Sequence, residues 1–176
     1  MAQTLYQRIR LDPNVAWVNV NRVGITWWPP HGTSSYLATY ALNGCTGVAI
    51  VSPQAGILAH VAPLDPNNPQ GPATENLRQR MQEMVYHFNT NIAYFTTSQS
   101  MVLAAVHERA EALPDAIDSI TRTLAQLGLP LFIRGYPVIP AGTPRPPGTT
   151  AIVIQPRTPA QMPLIYVNDQ IVYPST

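Results

Sequence analysis

The first third of the chain alternates between short apolar runs and turn-forming residues, a pattern typical of β-strands. The runs Ala16–Val20 and Val23–Trp28 are rich in Val, Ile and Trp and are separated only by Asn21 and Arg22, which favours an opening hairpin. Further apolar runs follow at Tyr36–Leu42, Gly47–Val51 and Ile57–Val61. This part of the chain is therefore predicted to be almost entirely β.

The middle of the chain changes to a helical period. A helix beginning near Thr74 is predicted because apolar residues recur on one face, at Leu77, Met81, Met84, Val85 and Phe88. A second helix is predicted over Pro114–Leu127, with Gly128 as its stop. Between the two helices, Ile92–Thr97 is predicted as a strand, and Met101–Glu111 is open between helix and strand.

The last part of the chain returns to strands. Four are predicted, at Leu131–Arg134, Ala151–Ile154, Leu164–Val167 and Gln170–Tyr173, and the final pair is joined by two residues that tolerate positive φ, Asn168 and Asp169. Strands grouped before and after two helices predict an α+β fold. We expect a mostly antiparallel β-sheet or sandwich with two main helices packed on it, in a single domain over residues 1–176.

Composition narrows the possible partners. The formal charge is +1, charged residues are 11% of the chain, and no basic run is present to follow phosphates, so a nucleic-acid partner is not expected. Neither a membrane span nor the apolar core of a signal peptide is evident. We expect a soluble protein, cytoplasmic or exported without a classical signal peptide. Prolines concentrate at 63–72, 137–147 and 156–163, which are predicted to be rigid loops.

The single cysteine, Cys45, cannot form an internal disulfide, and with only one thiol the four histidines do not complete a structural zinc site. No metal and no other cofactor is therefore expected. Taken alone, Cys45 is more often a small core residue and His60 a structural histidine. No sequence feature connects His31, His87 or His107 with the cysteine.

The spacing of Cys45 and His60 makes the pair worth considering together. If Val48–Ser52 and Ala55–His60 pair as a hairpin, Cys45 lies opposite Ala62, one diagonal step from His60 on the same face. Diagonal neighbours lie about 7 to 8 Å apart, within reach of long side chains. The imidazole would then be able to take the thiol proton and create the nucleophile of a cysteine enzyme.

The segment from Thr39 to Pro63 resembles a known group of enzymes. It contains Thr39, then Cys45 within Leu42-Asn43-Gly44-Cys45 before an apolar strand, and then His60 within Ala59-His60-Val61-Ala62-Pro63. This arrangement resembles the CheD-type chemoreceptor glutamine deamidases and the catalytic domains of the cytotoxic necrotizing factor group. Asn43 replaces the Ser of the Leu-Ser-Gly-Cys motif of the necrotizing factors, and Asn43-Gly44 replaces the Gly-Ser usual in CheD proteins.

The resemblance implies a CheD-like and necrotizing factor-like deamidase fold and a cysteine-dependent amidohydrolase. Cys45 would attack a glutamine carboxamide of a protein substrate, His60 would be base and then acid, and Thr39 would orient His60. Asn43 and Gly44 would hold the oxyanion or the substrate. An amine in place of water would give transglutamination, and an effector or toxin role fits this activity. The alternatives are a catalytically inactive CheD-like binding module and a thiol hydrolase of a small amide or ester.

Overall fold

The computed structural model describes residues 3–64, 73–107, 110–111, 113–140, 142–145 and 148–174 and has an α+β fold with two β-sheets. The helices are α1 (Leu5–Ile9), α2 (Ala73–Thr90) and α3 (Pro114–Gln126), and a short 3₁₀ helix spans Ile92–Tyr94. The strands are β1 (Val15–Trp17), β2 (Arg22–Trp27), β3 (Tyr36–Thr39), β4 (Thr46–Val51), β5 (Ala55–Val61), β6 (Gln99–His107), β7 (Ala110–Glu111), β8 (Leu131–Pro137), β9 (Ile152–Gln155), β10 (Leu164–Val167) and β11 (Gln170–Tyr173).

Each sheet combines antiparallel pairs with one parallel pair. The first sheet has the order β1-β3-β9-β10-β11, in which β1 and β3 are parallel. The second has the order β2-β5-β4-β6-β7, and β8 pairs with β6 in parallel. A parallel pair needs a crossover, and α3 lies in the connection from β6 to β8. The predicted α+β class is confirmed, and the sheets are mixed.

The second sheet is covered on both faces, which explains why β4 and β5 are buried along their whole length. One face packs against α2 and α3 through side chains such as Ile57, Met84 and Ile120. The other packs against the first sheet, where Leu58 and Leu103 meet Ile152. The short helix α1 covers the outer face of the first sheet. The site described below lies between the two sheets.

The two predicted helices are confirmed. The predicted apolar residues Leu77, Met81, Met84 and Phe88 lie in the core between α2 and the second sheet. Helix α3 begins with Pro114 in its first turn, and Gly128 follows its end with a φ of +72°. The closing hairpin is also confirmed, with Asn168 at φ 49° and Asp169 at φ 66° between β10 and β11. The spacing of apolar residues thus predicts those elements that bury only one of their faces.

The predicted opening hairpin is wrong, because β1 and β2 belong to different sheets. Strand β1 pairs with β3, and β2 pairs with β5. Between them Asn21 has a φ of 55°, and its backbone N–H donates to the carbonyl of His60 at 2.7 Å instead of bonding across a hairpin. The chain therefore passes from one sheet to the other immediately beside the candidate site.

The predicted strand at Ile92–Thr97 is also wrong. The backbone forms local bonds, from Tyr94 N–H to the Asn91 carbonyl at 2.9 Å and from Phe95 N–H to the Ile92 carbonyl at 3.0 Å, which make the 3₁₀ helix. Ile92 is half exposed, and Phe95 packs on Phe88 with ring centroids 5.5 Å apart. The ambiguous segment Met101–Glu111 forms most of β6 and all of β7.

Helix α1 was not predicted from the sequence. Thr4 caps it by accepting from Gln7 N–H, and the backbone N–H of Leu5 donates to Asp169 Oδ1 at 2.7 Å, which ties the helix to the closing hairpin. Most of the predicted proline-rich loop at 63–72 lies outside the described residues. No helix in the described part of the chain is long and apolar enough to cross a membrane.

Candidate functional site

Cys45, His60 and Thr39 come together where the two sheets face each other. His60 is on β5 and Cys45 directly precedes β4, while Thr39 is the last residue of β3 in the other sheet. The β4–β5 pairing has Gly47 opposite His60 and Thr46 opposite Val61, so continuing this register sets Cys45 opposite Ala62. The hairpin register predicted from the sequence is therefore confirmed.

The Thr39 hydroxyl fixes the orientation of the His60 ring. Thr39 Oγ1 lies 2.8 Å from His60 Nδ1 and 2.7 Å from the carbonyl oxygen of Val18. The hydroxyl has one proton, and the Val18 carbonyl is only an acceptor, so Thr39 donates to Val18 and accepts from Nδ1–H. This chain of bonds assigns the proton of a neutral imidazole to Nδ1. The lone pair is then on Nε2, as a general base requires.

The environment keeps His60 neutral. Its side chain is buried, and Nε2 has no hydrogen-bond partner in the described part of the chain. Burial lowers the pKa of His60 to about 4, because the interior disfavours the imidazolium form. At neutral pH the ring is therefore neutral, with an unprotonated and buried Nε2.

Cys45 lines the same pocket as His60. The pocket has a volume of about 400 Å³, and its other lining residues are Val18, Asn19, Val20, Tyr40 and Ala41. Only 9% of the Cys45 residue is exposed. Burial raises the pKa of the Cys45 thiol, and a hydrogen bond with the Asn43 backbone lowers it in part. Since Nε2 has no partner, the thiol and the imidazole form no hydrogen bond in this structure. The two groups are both neutral at rest.

The segment before Cys45 has a constrained backbone. Gly44 has a φ of +84°, while an added Cβ there would meet nothing within 4 Å, so glycine is favoured by the backbone conformation and not by lack of space. The amide of Asn43 bonds both backbone groups of Ile139, accepting from its N–H at 2.8 Å and donating to its carbonyl at 3.3 Å. The structure thus directs the Asn43 side chain to the segment after β8.

Tyr136 is a part of the site that sequence reasoning missed. Its hydroxyl donates to the carbonyl of Cys45 at 2.6 Å, and only 2% of the residue is exposed. Burial and the nearby Cys45 raise the pKa of Tyr136, while the backbone of Gly44 and Cys45 lowers it in part. The residue lies beyond the predicted end of its strand at Arg134, and its approach to Cys45 depends on the parallel pairing of β8 with β6. The sequence gives one indication of this: Tyr136 lies two positions after Arg134, so in an extended chain the two side chains lie on the same face.

The three other histidines lie away from this pocket. His31 packs against Tyr94 with ring centroids 5.5 Å apart, His87 lies beside Tyr86 on α2, and His107 ends β6. Across the residues that the structure describes, no group of three or more His, Cys, Asp and Glu side chains is arranged to hold a metal ion.

No protein-family model matches the sequence, and no curated protein is significantly similar to it. The likeness to the glutamine deamidases consequently rests on the residues from Thr39 to Pro63. Within that segment the geometry adds two observations, the Thr39–His60 hydrogen bond and the common pocket of Cys45 and His60. The thiol of Cys45 and the imidazole of His60 line one pocket, and the buried Thr39 hydroxyl bonds the imidazole.

Proposed function

We propose that this protein is a cysteine-dependent protein glutamine deamidase whose catalytic groups are Cys45, His60 and Thr39. The observation that carries the proposal is the hydrogen-bond chain from His60 Nδ1 through the Thr39 hydroxyl to the Val18 carbonyl. It leaves the Nε2 lone pair unpaired on a buried imidazole, and His60 lines a pocket together with Cys45. A purely structural buried histidine is expected to pair both ring nitrogens, because an unpaired buried polar atom is costly.

The reaction follows from these groups. As the substrate carboxamide enters, His60 Nε2 takes the proton of the Cys45 thiol, and the sulfur forms a bond to the carboxamide carbon. The imidazolium then returns its proton to the amide nitrogen, the carbon–nitrogen bond breaks, and ammonia leaves a thioester. His60 next removes a proton from water, which attacks the thioester carbon. The carbon–sulfur bond breaks, the thiol is restored, and the product is a glutamate side chain.

Charge develops on the carboxamide oxygen in both additions. Backbone N–H groups of Gly44 and Cys45 are the candidates for stabilising it, since the Asn43 amide is engaged by Ile139. In well-studied enzymes one such donor contributes about 3 to 4 kcal/mol to the transition state. Tyr136 holds the Cys45 carbonyl at 2.6 Å and so positions the peptide unit next to these N–H groups. We assign Tyr136 a positioning role on this basis.

Two features favour a glutamine that is part of a protein. The pocket opens beside side chains that are substantially exposed, Val20 at 49% and Tyr40 at 41%, which offer an apolar rim to a partner. The segment that follows β8 is fastened to the cysteine segment, because Ile139 pairs with the Asn43 side chain through two hydrogen bonds. Loops held on a rigid scaffold are common sites of partner recognition. The resemblance of the Thr39–Pro63 segment points to the same substrate class.

A second candidate function is that of a non-catalytic binding module. It is favoured by the neutral resting states of both groups, because burial raises the pKa of Cys45 and lowers that of His60. A buried structural cysteine likewise has a raised pKa and is chemically inert. The two candidates differ in what a substrate does: only the enzyme transfers the thiol proton to His60 when a carboxamide fills the pocket.

The experiment incubates the purified protein with cell extracts and maps Gln to Glu conversions, and amine incorporation at Gln, by peptide mass spectrometry. Cys45→Ser and His60→Asn are the matched inactive variants. Conversions made by the wild type and by neither variant support the proposal. Conversions equal in all three samples, or none in any, reject the deamidase and favour the binding module. Turnover of free glutamine or of a simple ester by the wild type alone favours a small-molecule hydrolase.

A further inference from the structure

A second, smaller pocket adjoins the one that contains Cys45. It has a volume of about 150 Å³ and is lined by Tyr40, Ala41, Leu42, Asn43, Arg145, Gly148 and Thr149. Tyr40 and Ala41 line both pockets, so these two residues form the ridge that separates them. A polypeptide lying across this ridge would place one side chain in each pocket. We call the smaller one the Arg145 pocket.

The ridge is held firmly from below. The Tyr40 ring packs against Tyr6 of α1 and Trp17 of β1, with ring centroids 5.0 and 5.6 Å away. Ala41 has a φ of 62°, and its backbone N–H donates to the Thr149 carbonyl at 3.1 Å. Aromatic contacts of this kind stabilise a particular ring arrangement beyond the area that they bury. The shape of the ridge is therefore set before a substrate arrives.

The segment that carries Arg145 is fastened at both ends to the residues leading to Cys45. At its start Ile139 pairs with the Asn43 side chain through two hydrogen bonds of 2.8 and 3.3 Å. At its end Thr149 accepts from Ala41, and Thr150 accepts from the backbone N–H of Leu42 at 3.2 Å. These attachments keep Arg145 beside the active-site segment although it lies about a hundred residues away in sequence.

The charges around the two pockets are one-sided. Arg145 is exposed and has no ion pair among the described residues, whose two ion pairs both lie on α2. In the part of the chain that the structure describes, neither pocket is lined by an Asp or a Glu. A guanidinium suits a carboxylate, which it binds through two parallel hydrogen bonds. The occupant that matches this pocket is an acidic side chain.

We propose that the Arg145 pocket is a specificity subsite that binds an Asp or Glu side chain close in sequence to the target glutamine. The inference rests on the proposed deamidase function, because that function supplies the glutamine in the neighbouring pocket. An extended chain advances about 3.3 Å per residue, so pockets that share a wall are reached by side chains about one to three positions apart. The target is thus a glutamine in an acidic sequence on a protein surface.

The test uses alanine-based peptides with one glutamine and one glutamate, the glutamate being moved through the three positions on either side. An otherwise identical peptide without glutamate is the reference. Binding to the Cys45→Ala variant is measured by NMR titration, and deamidation by the wild type is measured separately by mass spectrometry. At one position the glutamate is expected to tighten binding about threefold to fivefold, the range of an exposed ion pair.

Arg145→Ala in the Cys45→Ala background should abolish this preference, and Arg145→Glu should transfer it to a lysine at the same peptide position. Arg157→Ala removes an exposed arginine that lines none of these pockets and should keep the preference. Equal binding of all peptides, or a preference unaffected by Arg145→Ala, overturns the subsite. Because binding is measured without turnover, a retained preference with no deamidation refutes the proposed enzyme and leaves the subsite standing.

Discussion

Protonation of His60 is expected to destabilise the folded protein. Burial lowers the pKa of His60 to about 4, whereas an exposed histidine in the unfolded chain has a pKa of about 6.5. Between pH 6.5 and pH 4 the histidine is protonated in the unfolded chain but not in the folded protein, so the free energy of unfolding falls as the pH is lowered. The full difference corresponds to about 3 kcal/mol, and about 2 kcal/mol is lost by about pH 5. Above about pH 6.5 the contribution is constant.

The measurement is urea unfolding followed by tryptophan fluorescence, which the three tryptophans allow, at about pH 7.5 and about pH 5. The His60→Asn variant has an amide N–H that can reach Thr39 but has no titrating group. The carboxylates and other histidines are common to both proteins, so their effects largely cancel in the difference. We expect the wild type to lose about 2 kcal/mol more than the variant over this range.

The opposite outcome would identify a different resting state. If Cys45 and His60 formed a thiolate–imidazolium pair, the pKa of His60 would rise above 6.5, and acidification through that range would not destabilise the protein through this group. NMR titration of the His60 ring distinguishes the two cases directly. A midpoint above pH 6.5, or identical pH dependence in wild type and His60→Asn, would refute the neutral pair inferred from burial and from the unpaired Nε2.

Three further predictions concern the other groups of the site. Thr39→Val should lower deamidation about a hundredfold or more, close to the effect of His60→Ala, because the Thr39 hydroxyl orients the His60 ring. Thr39→Ser should keep most of the activity, and a fully active Thr39→Val enzyme would show that Thr39 is not part of the site. Tyr136→Phe leaves the Cys45 carbonyl without its hydrogen bond, so urea unfolding should show a loss of about 1 to 2 kcal/mol and kinetics a lower kcat with little change in KM. Iodoacetamide should alkylate Cys45 more slowly than a free cysteine at neutral pH, since burial raises the thiol pKa, and alkylation as fast as that of a free cysteine would contradict this.

The sequence by itself determines those helices and hairpins that are stabilised by contacts between residues close in the chain. The apolar period predicts α2 and α3, and the Asn168–Asp169 turn predicts the closing hairpin. It also predicts the β4–β5 register, because the turn at Pro53–Gln54 is short, and a slip by one residue would put Cys45 and His60 on opposite faces. That register is enough to set Cys45 and His60 on one face of a sheet.

The tertiary structure alone decides which strands become neighbours. Strands β1 and β2 are close in sequence yet join different sheets, and β6 meets β8 in parallel across α3. Both outcomes depend on which faces of a strand are covered by other layers, a property that a strand's own period does not encode. The assembly of Thr39 and Tyr136 with Cys45 follows from these pairings, since each is brought to it by a strand other than β4 and β5. Residues separated by up to about a hundred positions meet there because the second sheet buries both of its faces against other layers.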